Sequence, residues 1–156
     1  MKLAIFTKPV HVEKIVNYLN QYTEVDYIIS TDKLEERFNQ YDYDIGVSYC
    51  WPYRVQLTEM INMDDAKPEK VWFNYHPSLQ QYPGLSNYIQ PIKDGVTSHG
   101  VMLHRMSDKI DKGEVIESRV FQLDSVPTHT NELGCISHYY LFQLFKDTIE
   151  GLEEWV

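Results

Sequence analysis

Short apolar runs alternate with stretches of helical period through the first half of the chain, and that alternation limits the possible folds more than any other feature. Lys2–Thr7 is an apolar, strand-like run. Pro9 suits the first turn of a helix, and Val12, Ile15, Val16 and Leu19 then follow the i, i+3, i+4, i+7 rule. Val25–Ile29 is short and β-branched, Thr31 or Asp32 offers a cap for a brief helix through about Asn39, and Tyr43–Ser48 is a third strand. Val55–Ile61 has helical spacing, and Val71–Asn74 is a fourth strand ending at a polar loop. This β-α-β-α-β order predicts an α/β fold: a Rossmann-like, mostly parallel sheet with helices on both faces. After it come a short helix over Ser86–Ile92, strands over Gly95–His104 and Glu114–Leu123, and a closing helix from Thr128 to about Ile149.

The 156 residues fit a single domain, 1–156, with no internal repeat and no composition break. No stretch approaches the roughly 20 apolar residues of a membrane span. The start, Met1-Lys2-Leu3-Ala4-Ile5-Phe6, meets Lys8, Pro9 and His11 too soon for a signal peptide. Cys50 and Cys135 form neither a disulfide framework nor a zinc spacing, so a reduced, cytoplasmic location is expected. The net charge of −9 repels phosphate backbones and argues against a nucleic-acid partner.

In open α/β sheets ligands bind beyond the carboxyl ends of the strands. Two such ends are rich in chemistry here: Ser48-Tyr49-Cys50-Trp51-Pro52-Tyr53 and Asn74-Tyr75-His76-Pro77-Ser78. Extended backbone puts the side chains of Asn74 and His76 on one side, and Pro77 keeps His76 extended. Asp111 stands before Gly113, in a tight turn that presents a carboxylate between two strands. Amide, imidazole and carboxylate together suit acyl transfer. The amide donates to a developing oxyanion, the imidazole donates or moves a proton, and the carboxylate raises and orients the imidazole. There is no Gly-x-Ser-x-Gly turn and no activated cysteine, so the nucleophile is expected to belong to a substrate. By spacing alone, a His-Pro after a strand is more often a turn than a catalyst.

Three ordered motifs sharpen this. Asn74-Tyr75-His76-Pro77-Ser78-Leu79, Gly95-Val96-Thr97-Ser98-His99 and Asp111-Lys112-Gly113 resemble, in sequence and interval, the hallmark of the folate-dependent formyltransferase family. The likeness is specific over Val71–Ile116 and colinear elsewhere. It implies a 10-formyltetrahydrofolate donor, an amine acceptor and no metal. It also implies a catalytic set of Asn74, His76 and Asp111, with Asn74 and protonated His76 steadying the oxyanion. The family's pterin site corresponds to Ser48–Arg54 and Ser107–Asp111, implicating Tyr49, Cys50, Trp51, Pro52, Tyr53, Ser107 and Ile110 in folate binding. The aromatic members of that loop are equally explicable as core, and Cys50 as a small packing residue.

The departures bear on the acceptor. The first strand–helix turn, Phe6-Thr7-Lys8-Pro9-Val10-His11, lacks the Gly/Ser-rich phosphate cradle of glycinamide ribonucleotide transformylase. The additional C-terminal domain of methionyl-tRNA formyltransferase and the N-terminal regulatory domain of formyltetrahydrofolate hydrolases have no counterpart in these residues. Gln80-Gln81-Tyr82-Pro83-Gly84 replaces the usual Leu-Pro segment, and Lys112 stands where Thr or Ser is common. The expectation is transfer to a small-molecule amine, an amino sugar or nucleotide-linked amino sugar, in a chain compatible with a homo-oligomer. The alternatives are a non-catalytic folate-binding relative and a 10-formyltetrahydrofolate hydrolase. His99 and His104, five apart on a strand, face opposite sides; His99 is read as structural. His11, His129 and His138 are read as surface or helix residues, and Asp108 as a solvated turn residue.

Overall fold

The structure, a computed structural model, describes residues 1–32, 42–53, 70–84 and 87–156. The helices expected through Asn39 and over Val55–Ile61, together with Arg54, Gly-flanking residue Leu85 and Ser86, lie outside the described residues. Six strands form one sheet: β1 Lys2–Thr7, β2 Asp26–Ser30, β3 Ile45–Tyr49, β4 Val71–His76, β5 Ser98–Arg105 and β6 Val115–Gln122. Their spatial order is β2-β1-β3-β4-β5-β6. The pairs among β1 to β4 are parallel, whereas β5 and β6 add antiparallel, so the sheet is mostly parallel as expected. The order reverses at β1/β3, which opens a crevice beyond their carboxyl ends.

Three α-helices are described: α1 Pro9–Tyr22, α2 Ile89–Lys93 and α3 Thr130–Thr148, the last running into a 3-10 turn over Ile149–Trp155. Alternation along the strands divides the interior into two faces. Leu3, Ile5, Ile45, Val47, Phe73, Tyr75, Val101 and Leu103 point toward α1 and α3 and join Ile15, Leu19, Leu141 and Leu144 in the main core. Ala4, Phe6, Tyr43 and Trp72 form a smaller cluster on the opposite face. Each fully buried aliphatic or aromatic side chain stabilises the fold by roughly 1.5–3 kcal/mol. In α1 the buried residues are His11, Ile15 and Leu19, so the helix lies against the sheet along an i, i+4, i+8 stripe.

The observed element ends differ from the expected ones for identifiable reasons. β3 starts at Ile45 because Tyr43 turns into the smaller cluster and the Asp44 carboxylate accepts from the Lys2 N–H at 2.7 Å. β4 continues to His76 because β5 pairs with it as far as His76–Met102. β5 begins at Ser98 because Gly95 has φ +69°, a turn conformation that ends α2 rather than starting a strand. Among the described residues no helix is long and apolar enough to cross a membrane.

Candidate active site

Asn74 and His76 share β4 with Trp72 and therefore lie on the face opposite the main core. The antiparallel register sets His104 of β5 directly across from Asn74, on that same face. Asp111, in the loop between β5 and β6, closes the group. Its backbone is left-handed, with φ 53°, a conformation Asp tolerates better than most side chains. The carboxylate then meets four groups. Asn74 Nδ2 donates to Oδ1 at 3.0 Å, and the Gly84 N–H donates to Oδ2 at 2.7 Å. His76 Nδ1 stands 3.6 Å from Oδ2, and His104 Nε2 stands 3.4 Å from Oδ1.

These contacts assign the polar atoms. A carboxylate only accepts, so the nitrogen of the Asn74 amide faces Asp111. The other Asn74 N–H meets His104 Nε2 at 3.1 Å, while His104 Nδ1 lies 2.9 Å from the Arg105 carbonyl, which can only accept. His104 Nδ1 thus donates to that carbonyl, and Nε2 stands between Asn74 Nδ2 and Asp111 Oδ1. Both amide hydrogens of Asn74 are engaged within the protein. Burial alone would push the Asp111 carboxyl up, but His104, His76 and the Gly84 N–H outweigh it and hold it down at about 2. For His76 burial lowers the proton affinity, and it prevails over the opposing pull of Asp111 and the Tyr82 carbonyl. The carboxylate does act on the imidazole in the expected sense, but desolvation is the larger effect.

The loop after β4 is fixed by buried contacts. His76 Nε2 lies 3.2 Å from the Tyr82 carbonyl. The Ser78 hydroxyl donates to the Asn87 carbonyl at 3.2 Å and meets His99 Nε2 at 3.1 Å. His99 faces away from His104, as its spacing predicts, and is fully buried. Burial, with help from His76, pushes it down to about 4, so it is neutral in the folded protein. The unfolded chain takes up a proton near the ordinary 6.5, hence this contribution is complete above about pH 6.5 and is lost as pH falls toward 4. Linkage puts the loss at about 2 kcal/mol by pH 5. Urea unfolding at pH 7 and pH 5 should show it, and His99→Gln should show a shallower dependence; equal slopes for both proteins would remove His99 from the account.

A cavity of about 450 Å³ opens onto the cluster, lined by Asn74, His76, His104 and Asp111 and by the carboxyl ends of β1 and β3 through Lys8, Ser48 and Cys50. Trp51, Pro52, Tyr53, Ser107 and Ile110 also line it. Tyr49 is a correction: it does not line the cavity but lies fully buried against Tyr75 and Phe145. It shares parity with Ile45 and Val47, so the pleat turns it into the main core. Two departures noted in the sequence meet in space. Gln80 Nε2 donates to the Gly113 carbonyl at 2.9 Å, and Lys112 Nζ donates to the Gln80 carbonyl at 3.0 Å. His104, Gly84, Lys8 and His138 were not singled out for the site by sequence. For His104 the usable signal was its even spacing from Met102 and Gly100; which strand face carried the chemistry was not legible. His11 and His138 are helix residues, one of the two expectations for them, but His11 is buried and His138 lines the cavity.

A carboxylate, an amide and two imidazoles therefore converge at the switch-point end of a mostly parallel sheet. Burial pushes the Cys50 thiol up to about 12, so it is not a ready nucleophile. Such an arrangement can support transfer of a group to a nucleophile supplied by a substrate. A family model described as formyl transferase matches residues 59–133. The phosphoribosylglycinamide formyltransferase of Dictyostelium discoideum is 29% identical over 157 residues, covering 94% of this chain and 74% of that protein. The fold matches an N-formyltransferase from Helicobacter canadensis, solved in complex with folinic acid and dTDP-3-aminofucose, with TM-score 0.71 and 22% identity over 96% of this chain and 63% of that one. It also matches phosphoribosylglycinamide formyltransferase from Streptococcus pneumoniae TIGR4, with TM-score 0.67 and 17% identity over 97% and 98% of the two chains. Over residues 59–133 the chain resembles the formyl transferase family. The relatives it resembles are formyltransferases.

Proposed function

We propose that residues 1–156 act as one catalytic domain that moves a formyl group from 10-formyltetrahydrofolate to the amine of an amino sugar or nucleotide-linked amino sugar, with Asn74, His76 and Asp111 as the catalytic set. The observation that carries this reading is the Asn74–Asp111–His104 cluster facing a cavity with an apolar wall. Tyr53 and Ile110 are 44% and 53% exposed on that wall, an unusual exposure for large apolar side chains that a flat heteroaromatic ring would cover. Cys50, Trp51, Pro52, Tyr53, Ser107 and Ile110 are the residues proposed to hold the folate. When bound, the folate supplies the activated formyl carbon.

In this mechanism the acceptor nitrogen attacks the formyl carbon, a C–N bond forms and the formyl oxygen becomes an oxyanion. Asn74 meets that oxygen with the N–H now on His104, since its hydrogen bond to the carboxylate is charge-assisted and stronger. Charge developing on the oxygen adds to that of Asp111 and raises the proton affinity of His76, which steadies the oxyanion by taking up a proton from solvent and releasing it when the oxyanion collapses. Asp111, ionised at neutral pH, accepts the proton that the attacking amine gives up; the oxyanion then collapses to the new formamide, the formyl carbon's bond to the folate nitrogen breaks, and the proton held by Asp111 passes to that leaving nitrogen.

The choice of acceptor rests on the first strand–helix turn. α1 begins at Pro9, with Lys8 at its cap and no side-chain cap bond, so the turn has one fewer N–H and no glycine with which to cradle a phosphate. Glycinamide ribonucleotide is the second reading, favoured by the Dictyostelium relative. Incubation with 10-formyltetrahydrofolate and each acceptor separates them. Tetrahydrofolate release dependent on an amino-sugar acceptor is expected. Dependence on glycinamide ribonucleotide would transfer the assignment to that substrate. Release without acceptor would indicate a hydrolase, and binding without turnover a folate-binding relative.

A further inference from the structure

A second cluster lies along the same cavity, away from Asp111. His11 from the first turn of α1, Cys50 from the loop after β3 and His138 from α3 place one potential ligand atom each within 4.8 Å of one another. Cys50 Sγ and His138 Nδ1 are 3.7 Å apart, and the two imidazole rings have centroids 5.1 Å apart. A tetrahedral zinc with Zn–S near 2.3 Å and Zn–N near 2.0 Å sets its donor atoms about 3.3–3.6 Å apart. The sulfur–nitrogen pair at 3.7 Å is close to that spacing, and separations up to 4.8 Å need to contract by about 1 Å.

We propose that His11, Cys50 and His138 form a zinc(II) site whose fourth position opens toward the cavity. Thiolate with two imidazoles is a donor set suited to zinc rather than to magnesium or calcium. His138 Nε2 lies 3.3 Å from the Tyr88 hydroxyl, leaving Nδ1 aimed at the sulfur, as an outer partner orients a metal-bound histidine. Cys50 is held in a left-handed backbone, φ 51°, one of two non-glycine residues so strained among those described, the other being Asp111. Binding exchanges the thiol proton for a zinc–sulfur bond and releases that proton to solvent. Lys8 and Lys14 add positive charge nearby, which the single thiolate offsets in part. The metal would tie α1, the β3 loop and α3 together at one wall of the cavity. The site shares Cys50 with the proposed folate-binding set, but metal binding is tested without formyl transfer.

Cobalt(II) titration of the tag-free, full-length protein tests it. One cobalt per chain is expected, with a thiolate-to-cobalt charge-transfer band and visible bands of tetrahedral intensity, both displaced by zinc. Cys50→Ser should lose the charge-transfer band and Cys135→Ser should keep it. His11→Ala and His138→Ala should each weaken binding at least 100-fold, as an order-of-magnitude figure, and Tyr88→Phe roughly 10-fold. No charge-transfer band in the wild-type protein at stoichiometric metal would overturn the site and leave Cys50 and His138 as a thiol–imidazole hydrogen bond. Loss of the band in Cys135→Ser, or unchanged affinity in both histidine variants, would overturn it equally. The wild-type and Cys135→Ser results decide the matter even if Cys50→Ser fails to fold.

Discussion

Asp111→Asn is expected to lower formyl transfer by about 10²–10⁴-fold while leaving donor binding within a few-fold of wild type. Asn matches the shape of Asp and tolerates the left-handed backbone at φ 53°. The fold should therefore survive. The substitution removes the charge on which the site is organised. At neutral pH the carboxylate accepts from Asn74 and Gly84 and faces His76 and His104. An amide there must turn its NH₂ toward one of those donors, leaving a donor–donor clash worth about 1–3 kcal/mol. It also cannot accept a proton from the attacking amine. The depressed carboxyl makes a second, linked statement. Its contribution is present above the ordinary 3.8 and is lost as pH falls through about 2, amounting to about 2 kcal/mol. Asp111→Asn should therefore flatten the acid limb of stability in that window. Turnover with 10-formyltetrahydrofolate, calorimetric donor binding and acid unfolding measure the three effects. A variant retaining a tenth or more of wild-type turnover would remove Asp111 from the catalytic set.

Gly113→Ala should be the most damaging small substitution outside the cluster, destabilising the protein by roughly 3 kcal/mol or more through backbone overpacking. A Cβ at this position would sit 1.7 Å from the Arg105 carbonyl oxygen and 3.5 Å from His104 Nδ1. The first of these is backbone of β5 and cannot rotate aside. The same carbonyl receives the His104 Nδ1 proton, so pushing it away also releases the ring that holds Asn74. The Gly113 carbonyl in turn accepts from Gln80, so the loop after β4 would move with it. Activity should fall together with stability. Gly151→Ala is the control: a Cβ there meets nothing within 4 Å and its φ is not positive. Urea unfolding of both variants checks the contrast, and a Gly113→Ala protein as stable as Gly151→Ala would show that β5 yields more readily than its packing implies.

Much of the site could be read before the fold was seen, because strand geometry is local. Asn74 and His76 share a face by alternation alone, and Pro77 makes the extended state of His76 a matter of covalent sterics. The same alternation predicted that His99 and His104 would oppose each other. It applied equally to Tyr49, whose parity with Ile45 and Val47 placed it in the core; the aromatic cluster obscured that signal.

Chain position alone carried the α/β class, the mostly parallel sheet, the polar strand ends and the motifs around Asn74, His76 and Asp111, since each depends on residues a few positions apart. Three features depended on tertiary structure. The β4–β5 register set His104 against Asn74, 30 residues away. Packing of α3 brought His138 to Cys50, 88 residues away, where no neighbour in sequence offered a base. Burial, which no single residue reveals, turned the balance at His76 from the expected rise to a fall. Pleat and proline sterics act within a few bonds and are written in the local sequence. Register, helix docking and desolvation are set by the whole sheet and its cover, and they decided which of six histidines face the cavity chemistry.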